Sequence, residues 1–409
     1  MDARLVPDTT SRVLISTTLP QGGGVPQMTR FVADCLQERG FDPVLAYYQP
    51  YSLSPELSVP SFRLFQRTIG SRPETALNQL EGHAMGAWFP ELEFTHYWPT
   101  RLWGKLIDSC SYHLAVSGSC LAGLPYALSH RPFLAWVASS WHGDRKDRVA
   151  GFPWYRRWLD SGLNARVTRR LEKRILHSGT VLALSAYTRA ELESFLDNGT
   201  LHGMLPMPVD AGRFRPDPAA VVPGKLGFVG RIDDPRKNIP LLVQAIALIR
   251  QQHPRVSAEL IGGDPGPVVQ NLIEALELRD TVAAMAYMPR EQLPERLRTM
   301  DVFVLPSHQE GLCIAALEAM ACGCPVVSTR CGGPEEFVID GETGFLVDND
   351  PAALAAAIGR IVGDRSLRQR LSLGARQLVE NRYDLASARR TFWQAFEHAF
   401  PWQKEGVRH

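Results

Sequence analysis

The chain has 409 residues, 45 % hydrophobic and 21 % charged, with 44 Lys and Arg against 43 Asp and Glu. That length holds two domains of about 200 residues, and the composition is ordinary for a globular protein. A net charge of +1 supplies no global field for nucleic acid. No apolar run approaches the length of a membrane span, and Met1-Asp2-Ala3-Arg4 opens no signal-peptide core, so a cytoplasmic protein is expected. Seven cysteines without small-scaffold spacing fit reduced thiols.

Strands alternate with helices along the chain, the pattern of a parallel sheet covered on both faces. In the first half, Val13–Ser16, Val44–Tyr47, Leu114–Ser117, Phe133–Ala138 and Val181–Leu184 read as short buried strands. Gly22-Gly23-Gly24 follows the first of them and opens a helix over Val25–Arg39; glycines let backbone approach a ligand closely. Seven of the nine tryptophans lie between Trp88 and Trp158, either as a core or as a wall for stacking an acceptor. His142 directly follows strand Phe133–Ala138, and strand ends of such sheets face ligands. The segment Asp144–Leu176 interleaves arginines with aromatics, which fits a solvated helix face, an anionic acceptor or an anionic membrane surface.

Two prolines in Leu205-Pro206-Met207-Pro208-Val209-Asp210 forbid helix and mark the break between domains, followed by the proline-rich Arg215–Pro223. The expected division is 1–208 and 209–383, with a last helix in 384–409. Beyond the break, Leu226–Val229, Ala258–Ile261, Val282–Tyr287, Val302–Leu305, Val326–Ser328 and Phe345–Val347 read as a second set of strands. Arg231 and Lys237, six apart in a loop that Pro235 stiffens, can converge on a diphosphate. Arg236 is expected to be exposed. After strand Val302–Leu305 comes a loop ending in Glu310-Gly311, then a helix of good formers carrying Glu318. Its N-terminus is a ready phosphate site, with a carboxylate acceptor to either side. Cys322 and Cys324, split by one glycine, lack the spacing of a zinc site.

The order strand, polar loop, Glu310-Gly311, helix with Glu318, Cys-Gly-Cys-Pro, strand and Gly332-Gly333-Pro334-Glu335 resembles a known signature. It is similar to the E-x7-E motif of retaining, nucleotide-sugar-dependent glycosyltransferases of the GT4 family. The resemblance implies an α/β chain of the GT-B fold: two Rossmann-like parallel-sheet domains facing a central cleft, with the last helix crossing back to the first. It implies donor contacts from Gly23, Gly24, Arg231, Lys237, Glu310, Glu318, the backbone near Met288, and the amides of Leu312, Cys313 and Ile314. Catalytic roles would fall to His142, Glu310, Arg231 and Lys237. The leaving diphosphate would meet Arg231 and Lys237, so no metal and no cofactor are expected.

The partners implied are a nucleoside-diphosphate sugar and a hydroxyl acceptor on a glycan, a lipid-linked sugar or a small molecule; peripheral contact of 144–176 with the inner face of the plasma membrane stays one of the three readings of that segment. Met207-Pro208 departs from the family, where many members carry Asn-Gly. The alternatives are a nucleotide-sugar-binding subunit that has lost turnover and a sugar epimerase of the same fold; Arg231, Lys237, Glu310 and Glu318 speak for turnover.

Overall fold

The computed structural model describes residues 11–19, 24–63, 68–77, 79–145, 157, 162, 164–196 and 199–401. The chain divides into two compact units, one formed by Met1–Leu205 with Arg389–His409, the other by Pro206–Ala388.

The first unit runs β1 (Arg12–Thr17), α1 (Gly24–Glu38), β2 (Asp42–Tyr48), β3 (Ser71–Ala76), β4 (Leu80–Met85), α2 (Arg101–Asp108), β5 (Tyr112–Ser117), α3 (Leu124–Leu128), β6 (Leu134–Val137), α4 (Trp141–Arg145), α5 (Ala165–Ser178), β7 (Thr180–Ala183), α6 (Ala186–Glu193) and β8 (Gly203–Met204). The sheet order is β3-β4-β2-β1-β5-β6-β7-β8. The pairs are parallel except β3 with β4. The apolar strands lie where their β-branched and aliphatic runs predict. β3, β4 and β8 were not anticipated. β3 is a polar edge strand, mostly exposed and carrying Pro73, which an edge position tolerates, so no apolar run announces it. Of the tryptophans, Trp103, Trp136 and Trp141 are buried and Trp98 is exposed, while Trp154 and Trp158 lie outside the described residues.

The second unit runs β9 (Lys225–Val229), α7 (Ile239–Gln252), β10 (Ser257–Ile261), α8 (Gly266–Ala275), β11 (Val282–Met285), α9 (Leu293–Thr299), β12 (Val302–Leu305), α10 (Ile314–Ala321), β13 (Val326–Thr329), β14 (Gly344–Val347), α11 (Pro351–Gly363) and α12 (Arg365–Arg382). All its strands are parallel, in the order β11-β10-β9-β12-β13-β14. From β9 the chain builds outward to β10 and β11, then returns to the other side of β9 with β12. That reversal is a topological switch point, outside which ligands of open α/β sheets bind. β12 is buried throughout, as its unbroken Val-Phe-Val-Leu requires.

The last helix, α13 (Leu385–Ala399), buries Phe392, Trp393 and Phe396. Phe392 meets Phe31 of α1 edge to face with centroids 6.4 Å apart, and Phe396 lies 5.4 Å from Tyr112 of β5. Arg39 stacks over the Trp393 ring at 3.8 Å. The spacing of these aromatics therefore serves the core of the first unit. All seven cysteines are free thiols, and only Cys313 escapes full burial. Among the described residues no helix is long and apolar enough to cross a membrane.

Candidate active site

The loops that leave β9 and β12 flank the switch point of the second sheet. After β9 the chain makes a 3-10 turn over Pro235–Lys237, and Asn238 takes a left-handed φ of 49° to start α7. Asp234 governs this turn. Its carboxylate accepts from the Arg236 backbone N–H at 3.1 Å, from Arg236 Nη2 at 2.9 Å and from Arg231 Nη2 at 2.5 Å. Burial alone pushes the Asp234 carboxyl up, and the Arg236 and Arg231 guanidiniums more than offset it, leaving a pKa of about 2.

Arg236 was expected to be exposed and is not: its side chain is 15 % exposed, against 59 % for Arg231. The reason is Asp234, a buried carboxylate that would be costly without a counter-charge held against it. The same turn aims Lys237 at the β12 loop, where Nζ lies 2.5 Å from Glu310 Oε1. Burial pulls the Lys237 ammonium down, but Glu310 outweighs it and holds the pKa above the ordinary value. The two loops are also tied by backbone, since the His308 N–H donates to the Arg236 carbonyl at 2.8 Å.

Glu310 is held on three sides. Ser307 Oγ donates to the same Oε1 at 2.8 Å, the Glu310 N–H donates to the Cys331 carbonyl at 2.7 Å, and its own carbonyl accepts from the Gly333 N–H at 2.9 Å. A side chain at Gly333 would place its Cβ 2.2 Å from the Gly311 carbonyl oxygen, so glycine there lets the two loops touch. Cys313 then turns the chain at φ 68° and starts α10 with no side-chain cap on its amides. Leu312 is buried, while Cys313 and Ile314 are half-buried. An uncapped helix N-terminus beside a lysine–glutamate pair presents N–H donors and positive charge to an anion.

Glu318 lies one helical turn beyond Ile314 and is 2 % exposed. Arg290 grips it from the loop after β11, with Nε at 2.9 Å and Nη2 at 2.6 Å, both on Oε1. Burial pushes the Glu318 carboxyl up, and Arg290 opposes this. Sequence reasoning singled out neither Arg290 nor Ser307. Arg290 sits two residues beyond Met288, in a loop read only for its backbone, and Ser307 is a short polar residue with no motif of its own.

Residues 218–378 match the family described as Glycosyl transferases group 1. That match takes in β9 through most of α12. It is 33 % identical over 218 residues to a GDP-mannose-dependent alpha-(1-6)-phosphatidylinositol monomannoside mannosyltransferase of Mycolicibacterium smegmatis, covering 48 % of this chain and 57 % of that one. It is 36 % identical over 192 residues to a D-inositol 3-phosphate glycosyltransferase of Acidothermus cellulolyticus, covering 42 % of each. The matches thus span about half the length of these curated relatives. The fold is that of sucrose-phosphate synthase from Thermosynechococcus elongatus, with a TM-score of 0.73 over 95 % of this chain and all of that one at 22 % identity. Anabaena Alr3699/HepE in complex with UDP gives 0.69 at 17 % identity over the same shares. These are GT-B structures, the architecture expected from the sequence.

Within the matched residues 218–378, Arg231, Lys237, Glu310, Leu312, Cys313, Ile314 and Glu318 all stand in the loops at the carboxyl ends of β9 and β12 or on α10. Met288 is half-buried on the loop after β11. Gly24 and His142 belong to the first unit. Gly24 is the first residue of α1, whereas Gly23 lies outside the described residues. His142 is exposed on α4. Next to it the Trp141 N–H donates to the buried Glu172 at 3.0 Å. Of the basic and aromatic segment 144–176, residues 146–156, 158–161 and 163 lie outside the described residues. The part in α5 turns Arg166, Arg169, Arg170 and Arg174 outward.

Proposed function

We propose that the protein is a retaining glycosyltransferase that moves a sugar from a nucleoside-diphosphate sugar to an acceptor hydroxyl and needs no metal ion. The observation that carries this reading is the Lys237–Glu310 pair at the switch point, set against the uncapped start of α10. As the bond from the sugar to the diphosphate breaks, the leaving group gains negative charge. Arg231, Lys237 and the amides of Leu312, Cys313 and Ile314 meet that charge, and fixed donors aimed at developing charge stabilise the transition state. With Oε1 of Glu310 taken by Lys237 and Ser307, the other oxygen is left to accept from sugar hydroxyls.

Retention on one face of the sugar requires no carboxylate nucleophile. A leaving phosphate oxygen takes the proton from the acceptor hydroxyl as the new bond forms. The relatives support the donor class: one is named for GDP-mannose as donor, and a neighbour in fold was solved with UDP.

The test is a thermal-shift screen with UDP, GDP, ADP and TDP and their common sugars, with and without EDTA. Ligand at 100 times Kd adds about 2.7 kcal/mol, a rise of several degrees. A shift with one nucleotide, indifferent to EDTA, followed by a product that keeps the donor's anomeric configuration, supports the proposal. Loss of turnover in EDTA or an inverted product overturns the mechanism. Nucleotide binding without transfer to any acceptor overturns the enzymatic reading itself.

A further inference from the structure

We propose that Arg290 is a positioning residue for donor recognition: by occupying Oε1 of Glu318 it presents Oε2 alone to the vicinal hydroxyls of the nucleotide's ribose. The proposal rests on the functional reading above and adds a residue to it. Three observations carry it. Both guanidinium contacts, Nε at 2.9 Å and Nη2 at 2.6 Å, fall on one oxygen of the carboxylate. Among the described residues Oε2 has no hydrogen-bonding partner, although Glu318 as a whole is 2 % exposed. The guanidinium is itself fixed, 5.7 Å over the ring of the fully buried Phe214.

A carboxylate gripped on one oxygen is a single oriented acceptor. A free one would rotate and offer either oxygen to water. Glu318 stands four residues beyond Ile314 on α10, about 6 Å along the axis at 1.5 Å per residue. A phosphate at the amides of the helix start therefore leaves a ribose, one ester bond away, within reach of Oε2. Burial pushes the Glu318 carboxyl up on balance, and Arg290 and the nearby Arg213 both oppose that push. Arg213 has an exposed partner of its own in Glu291, at 3.6 Å, so the grip on Glu318 falls to Arg290.

The test measures affinity of the full chain for UDP, GDP and ADP and for their 2′-deoxy and 3′-deoxy counterparts, in wild type, Arg290→Met, Arg290→Lys and Glu318→Gln. Wild type should prefer the ribonucleotide by about 10-fold or more, the worth of a hydrogen bond to a charged group. Arg290→Met should lose most of that preference while binding the deoxy nucleotide about as well as wild type does. Arg290→Lys, which keeps the charge but not the fork, should fall between and guards against a misfolded methionine variant. In turnover the change should appear in donor KM with kcat little altered.

Equal weakening for ribo and deoxy ligands would mean that Arg290 touches phosphate or only holds the fold, and would overturn the proposal. Full discrimination kept in Arg290→Met would do the same. A wild type that binds these nucleotides without discriminating them sinks the ribose contact and leaves the transferase reading standing, whereas a wild type that binds none sinks both.

Discussion

Lys237 and Glu310, 73 residues apart in sequence, meet at 2.5 Å where β9 and β12 lie side by side. Their side chains are 18 % and 10 % exposed, so each is the other's main counter-charge. The pair thus has two jobs: it holds the two loops together, and it places a cation and a carboxylate oxygen at the start of α10.

Those jobs separate in a double-mutant cycle. Lys237→Met should lower kcat by about 10²-fold, as for loss of one preorganised donor to the developing charge. It should also cost about 3 kcal/mol of stability, the lower end for breaking a buried pair and stranding one charge. Adding Glu310→Gln should restore most of the stability and none of the activity. Denaturant unfolding of the four proteins, with kcat for each, reads both effects; strictly additive stability losses would show that the pair is not coupled.

Asp234 predicts an acid limb. Its folded pKa of about 2 lies below the ordinary carboxylate value of about 4, so its contribution is present above pH 4 and lost as the pH falls toward 2. Two pKa units correspond to roughly 2–3 kcal/mol. Asp234→Asn should therefore be less stable than wild type by that order at pH 6, with the gap closing near pH 2. A gap independent of pH would show that the carboxylate charge is not what holds the turn.

Glu172 predicts the opposite slope. Burial pushes its carboxyl up, the Trp141 N–H opposes this and the Glu191 charge adds to it, giving a pKa of about 7. A carboxyl whose folded value is raised costs nothing below about pH 4 and an increasing amount as the pH rises to 7. Glu172→Gln should leave stability near wild type at pH 4.5 and raise it by roughly 3 kcal/mol at pH 8, since each pKa unit is worth 1.36 kcal/mol. Thermal melts at the two pH values decide it, and no gain at pH 8 would refute the raised value.

Phe392 of α13 is 1 % exposed and sits against Phe31. Phe392→Ala should cost about 3–5 kcal/mol, the usual range for emptying a buried aromatic site. The loss should appear first in amide exchange of α1, and protection of α1 equal to wild type would argue that the helix contributes little to that core.

The alternation of buried strands and helices was legible because hydrophobic periodicity is a local property of the chain. The same holds for the Glu310-Gly311 loop opening a helix. Polar edge strands such as β3 were not legible, since their pairing comes from a neighbour and not from their own residues. Arg231, Lys237, Glu310 and Glu318 stand in the loops at strand ends or on α10, as their order in the chain suggested.

Which charge faces which was decided only in three dimensions. The sequence sets Arg231 and Lys237 toward a diphosphate and leaves Arg236 exposed, whereas the fold buries Arg236 against Asp234, leaves Arg231 largely exposed at the edge of the same carboxylate and sends Lys237 to Glu310. Arg290 acquires its place in the same way, by arriving beside Glu318 from the loop after β11, whereas Ser307 meets Glu310 from within the same loop after β12. The reason is that periodicity and turn chemistry act over a few residues, whereas an ion pair depends on the position of two loops whose strands are brought together by the sheet. The sequence by itself determined the layers and the Glu310-Gly311 loop that opens α10; the order of β9 and β12 in the sheet decided how that loop meets Lys237.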